Sequence, residues 1–115
     1  MSNNNEVLSE IVNVVAEEVY KYLMRKLPEK LLEDIVINVG FTDMNNYTLE
    51  ISIDVMTNPL LKGLDDIVND AVEFGFKIAD YLMDKFRRGG ELVGLSTGEI
   101  ERIAEEYTKS LRNDT

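Results

Sequence analysis

Apolar residues recur at Leu8, Ile11, Val12, Val15, Val19, Tyr22 and Leu23, a helical spacing that predicts a helix from about Glu6 to Leu27. Pro28 stops it, because proline has no N–H for the helical ladder. Val7, Val14 and Tyr20 widen the apolar arc, so this helix should touch more than one neighbour. Asn3 to Asn5 reads as a frayed polar lead-in. The period then falls to two. Ile35, Ile37, Val39 and Phe41 alternate with Val36, Asn38 and Gly40; after a turn cluster at Thr42–Asn46, Tyr47, Leu49, Ile51, Ile53 and Val55 alternate with Thr48, Glu50, Ser52 and Asp54. Alternation of this kind predicts an antiparallel hairpin with one wet face, with Ile37, Val39, Leu49, Ile51 and Ile53 buried.

Thr57-Asn58-Pro59 breaks the second strand, and helical spacing returns from Leu64 to about Arg88 through Ile67, Val68, Ala71, Gly75, Ile78, Leu82 and Phe86. Gly75 is out of character on that stripe. A mid-helix glycine costs about 1 kcal/mol against alanine, so its use should be close approach of a neighbour such as the first helix. Gly89-Gly90 suits the positive φ that closes a helix. Leu92–Leu95 is a candidate third strand. Ser96 and Glu99 have capping-box spacing, with Leu95 placed to staple onto Ile100. A last helix follows on a narrow stripe of Ile100, Ile103, Ala104, Tyr107 and Leu111, and Arg112–Thr115 should be loose.

The order α-β-β-α-(β?)-α predicts an α+β fold: a two-layer sandwich in which a β-hairpin is covered on one face by two long helices plus a C-terminal helix. At 115 residues one domain is expected, with an α-β-β-α core over 6–90 and a C-terminal helical extension over 91–115. A two-stranded sheet is marginal alone and its edges need an answer. Either Leu92–Leu95 pairs along one edge or a second copy of the chain does. Apolar surface that the helices leave over, with Val7, Val14, Phe74 and Tyr81 as candidates, would form an interaction surface.

Composition narrows the chemistry. The chain has no His, Cys or Trp, and 22 acids stand against 12 bases. Disulfides, thiolate metal sites and histidine-based catalysis are thereby excluded. The net charge of −10 is spread along the chain with no net positive segment, which argues against nucleic acid. The polar strand face repeats the point, offering Asn38, Thr48, Glu50, Ser52 and Asp54 where a nucleic-acid binder would place bases and aromatics. No apolar run is long enough to span a bilayer, and Met1–Glu6 has no basic or apolar leader, so no membrane segment or signal peptide is expected and the cytoplasm is the default.

Acidic groups are the remaining candidates. Asp65, Asp66 and Asp70 crowd the start of the second long helix, with Asp54 near the end of the preceding strand. Oxygen ligands of this kind hold Mg²⁺ or Ca²⁺, but acids at a helix start also complement its dipole, and no fixed ligand spacing is met. Asp43, Asn45, Tyr47 and Asp54 resemble a calcium loop only superficially, since Thr48 stands where that loop needs glycine. Lys85, Arg87 and Arg88 form a basic spot that a helix C-terminus explains. The pairs Glu17–Glu18 and Glu105–Glu106 read as solvated helical acids. No cofactor is implied.

The run Leu64–Asp80, with Asp34-Ile35-Val36-Ile37 and Leu49-Glu50-Ile51, resembles an uncharacterised archaeal family of α-β-β-α proteins whose gene lies near the prefoldin beta subunit gene in some genomes. The resemblance covers about residues 8–88. It implies an archaeal, cytoplasmic protein with a role around translation or folding machinery. That family has no established activity, so no site residue transfers.

The sequence therefore does not fix a biochemical function. The leading expectation is a non-enzymatic protein–protein interaction or self-associating module, as a homodimer or with another protein. The alternative is a small-molecule-binding or carboxylate- and Mg²⁺-dependent enzyme. Nucleic-acid binding ranks last.

Overall fold

The computed structural model describes residues 3–43, 45–88 and 90–113. The chain runs α1 (Asn3–Lys26), a single 3-10 turn (Glu29–Leu31), β1 (Leu32–Asp43), β2 (Thr48–Thr57), α2 (Leu64–Arg87) and α3 (Thr97–Asn113). This is the α+β arrangement that the change of period predicts. The helix starts at Asn3, so the asparagines are not a frayed lead-in, and Pro28 follows its last turn. α3 continues through Arg112 to Asn113, where a loose end was expected; Asp114 and Thr115 lie outside the described residues.

β1 and β2 form an antiparallel pair with Val39 opposite Ile51 and Ile37 opposite Ile53. Register shifts at both ends leave Glu33 and Thr42 as extra residues, which curl the strand ends. In the turn, Asp43 Oδ1 accepts the backbone N–H groups of Asn45 and Asn46 at 2.9 and 3.3 Å, and its Oδ2 accepts Asn46 Nδ2 at 2.8 Å. Those hydrogen bonds hold the Asp43 carboxyl below its ordinary range. The side chain closes the hairpin, which disposes of the calcium-loop resemblance. Tyr47 takes a positive φ of 53° and sets its ring edge-on to Phe86, centroids 5.6 Å apart.

α1 lies over β1, α2 lies over β2, and the two helices pack against each other. Gly75 sits where both helices meet the sheet: a methyl group there would fall 2.7 Å from Val19 Cγ2 and 2.8 Å from Ile51 Cδ1. Ile51 is accordingly buried. Ile37, Val39, Leu49 and Ile53 are only half-buried, against the sequence expectation. Two helices cover the middle of a two-stranded sheet, and the outer flanks stay open. The alternation itself holds, with Asn38, Thr48, Glu50, Ser52 and Asp54 all exposed.

Leu92–Leu95 is not a third strand. The N–H of Val93 donates to Gly90 O at 3.0 Å and that of Leu95 to Leu92 O at 3.2 Å, so local turns use the groups that a ladder would need. Gly90 and Gly94, at φ 71° and 86°, supply the left-handed corners. Leu92 instead drops into the core with no exposed surface. The capping box forms as its spacing predicts: Glu99 N donates to Ser96 Oγ at 3.1 Å, and Ser96 N donates to Glu99 Oε1 at 2.9 Å.

α3 packs principally on α1 and also on α2. Ile100 and Ala104 join the same core as Val7 and Val14. Those two valines were candidates for an exposed patch, and both are buried. Tyr81 is half-covered by a stacked Tyr107, centroids 4.2 Å apart and planes within 4°. Of the surface expected to be left over, Val7 and Val14 lie in the core and Tyr81 is half-covered.

Candidate interaction surface

Between Leu32 and Thr57 the hairpin carries Glu33, Asp34, Asp43, Glu50 and Asp54 and no Lys or Arg. The face turned away from the helices bears Asp34, Glu50 and Asp54 together with exposed Val36 and Met56, the latter at 61% exposure. Asp34 stands opposite Met56, and Val36 opposite Asp54, so the apolar and acidic groups alternate across the ladder. Leu60, in the turn that follows β2, is 78% exposed. Among the described residues the sheet has only these two strands, so the outer backbone groups of each face away from any ladder partner.

The β1 edge also has a groove. One depression of about 420 Å³ lies between α1 and β1, lined by Asn13, Ala16, Glu17, Tyr20, Ile35 and Ile37. A second of about 340 Å³ continues along the same seam past Leu8, Val12 and Phe41, with Asn13 common to both. Half-covered apolar side chains therefore run beside the free edge of the longer strand.

The candidate metal ligands do not converge. Asp54 and Asp65 line a shallow depression of about 330 Å³ at the α2–β2 seam, with Asn69. Asp70 lines a different depression beside Tyr22, Arg25 and Lys77, and Asp66 lines neither. All four carboxylates are exposed. Among the described residues no group of three or more His, Cys, Asp or Glu side chains is placed to hold a metal ion. Asp65 and Asp66 lie in the first turn of α2 behind Gly63, which provides no side-chain cap, so they serve the dipole. Phe74, the remaining patch candidate, is half-buried against Tyr22, centroids 4.8 Å apart.

One polar cluster is buried. Glu18 of α1 is 2% exposed, and among the described residues its Oε2 atom is buried with no hydrogen-bond partner of its own. Burial, then the hydrogen bond and negative charge of Glu105, push its pKa up to about 8, against the opposing pull of Lys21. Lys21 Nζ is 3.6 Å from Glu18 Oε2, close enough for an ion pair, but the cost of burying the charge outweighs its pull and favours the protonated acid. The ammonium is instead engaged by Glu105 at 2.9 Å and Glu101 at 3.9 Å, both on α3. At the other end of that contact Thr97 hydroxyl donates to Glu10.

A family described as a protein of unknown function (DUF3194) matches the chain over residues 3–83. The chain belongs to that family. The match takes in α1, β1, β2 and most of α2 of this DUF3194 chain, whereas α3 lies beyond it. No curated protein and no solved structure matches. No helix among the described residues is long and apolar enough to cross a membrane.

Sequence reasoning missed Glu18 in this DUF3194 chain because it was paired with its neighbour Glu17 and read as solvated. A usable signal was present. Glu18 follows Ile11 and Val14 by seven and four residues, and so shares their face of α1.

Proposed function

We propose that this chain is a non-enzymatic protein–protein interaction module that completes its two-stranded sheet with another polypeptide. The observation that supports it is the β1 edge: twelve residues of strand whose outer side pairs with no other strand among the described residues, beside a half-covered apolar seam under α1. Folded proteins normally blunt such an edge with lysine, proline or a covering element. β1 has bulges at its ends and neither lysine nor proline. Added strands use the free backbone groups of an edge for affinity and the flanking pockets for selection. The setting of this reading is the cytoplasm of an archaeal cell, which suits an acidic chain without cysteine.

Amide hydrogen exchange along Leu32–Asp43, combined with light scattering over a wide concentration range, tests the proposal. The expected result in dilute monomer is alternation, with outward amides of β1 exchanging fast and inward ones protected. Uniform protection of both sets in a monomer would mean that the chain covers its own edge, and the proposal would fall.

A further inference from the structure

The hairpin's charge is one-sided, and this bears on what the edge accepts. A second β1 strand would add its own Glu33, Asp34 and Asp43 to an edge that already carries the same three acids, with no base on either strand to offset them. Self-pairing at this edge is therefore opposed by its own charges. The two sides of an incoming strand meet different surfaces. Its helix-facing side chains enter the seam lined by Ala16, Tyr20, Ile35 and Ile37. Its other side chains lie over the open face. Gly40 of β1 has no side chain there, nothing stands within 4 Å of where its Cβ would be, and it sits opposite Glu50. Neighbouring strands are about 4.8 Å apart, so a Lys or Arg beside Gly40 can reach across it to the Glu50 carboxylate.

We infer that the β1 edge takes a basic extended segment of another protein, in which apolar residues that fill the α1 seam alternate with Lys or Arg over the Asp34, Glu50 and Asp54 face. This rests on the interaction reading above and adds the chemistry of the partner. Charge complementarity selects against a second copy and for a cationic strand. Attraction of this kind weakens as salt rises, since the screening length is about 10 Å at 0.1 M; apolar self-association of an acidic chain would instead tighten.

The test uses the full chain and three synthetic peptides of about eight residues, alternating Val with Lys, Val with Ser and Val with Glu. Backbone amide shifts report location, and titration at about 0.05 M and 0.5 M salt reports charge dependence. The Val-Lys peptide is expected to perturb Leu32–Asp43 and to bind severalfold more weakly at the higher salt. The exposed variant Glu50→Lys should weaken it severalfold again while leaving the amide spectrum elsewhere unchanged. Equal binding of the Val-Ser peptide, insensitive to salt, would overturn the basic-partner inference and leave the edge as a docking site. So would a dimer that tightens with salt while no peptide binds, which makes a second copy the occupant. A chain that stays monomeric, with β1 amides protected throughout and no peptide bound, would overturn both this inference and the interaction reading.

Discussion

Gly75 of α2 faces Val19 of α1 so closely that a methyl group on the glycine would lie 2.7 Å from Val19 Cγ2. Valine is branched at Cβ and cannot swing that methyl away cheaply. Ile51 Cδ1, at 2.8 Å, is the end of a longer chain and yields more easily. Alanine gains about 1 kcal/mol in helix propensity, while overpacking costs about 1–3 kcal/mol. Gly75→Ala should therefore lower stability by about 1 kcal/mol, measured by denaturant midpoint. A variant more stable than the parent would show that the α1–α2 contact is looser than this geometry.

The pleat separates neighbours in sequence by energy. Ile51 is in the core, and Glu50 beside it points into solvent. Ile51→Ala should cost about 2–5 kcal/mol and Glu50→Ala almost nothing. Ile37→Ala, at a half-buried position, should fall between them. Equal losses at 50 and 51 would put the strand in the wrong register.

Glu18 gives the fold a pH dependence. The folded chain holds its proton more tightly than the unfolded chain, so stability is full below the ordinary value of 4.5 and falls as pH rises toward about 8. Lys21 on the same helix and Glu101 and Glu105 on α3 are the charged groups around it. With no histidine or cysteine in the chain, few other groups titrate between about pH 6 and pH 8. Melting temperature should decline across that interval in the parent and stay level in Glu18→Gln. Parallel curves for the two proteins would show that Glu18 is ionised and solvated at neutral pH.

Divalent metal should find no cage. Asp54 and Asp65 share one seam while Asp70 lies beside Tyr22 in another. Titration with Mg²⁺ or Ca²⁺ is expected to give small, unsaturated amide shifts spread over exposed acids. A saturable response confined to Asp54, Asp65 and Asp66 at micromolar metal would restore the carboxylate-enzyme alternative.

The elements were legible because each is amphipathic at its own period. Tyr47–Val55 alternates without a break and Ile35–Phe41 does so apart from Val36, and Pro28 and Pro59 mark the boundaries between strands and helices. The capping box at Ser96 was legible for a similar reason: it is a local hydrogen-bond pattern with fixed spacing. What the pattern could not show is how far a partner element covers a face. Ile37 and Ile51 have the same apolar character and the same phase, yet only Ile51 lies where two helices meet the sheet. Val7 and Val14 were surplus to a four-element core, and their fate depended on where α3 would dock. Leu92–Leu95 failed differently. A short apolar run fits a strand or a buried turn equally, and Gly90 and Gly94 decided it.

α3 sits beyond the family match and is joined to α2 only through the short connection around Gly90 and Gly94. A tether that short gives the helix an effective concentration of order millimolar at the groove between α1 and α2. An amphipathic helix of equal intrinsic affinity arriving from outside would have to reach about millimolar concentration to displace that standing occupant half the time. The hairpin edge has no such resident. The molecule therefore has two exposed-seam problems with opposite solutions: one is closed by its own C-terminal helix, and the other, among the described residues, is left open to a strand from outside.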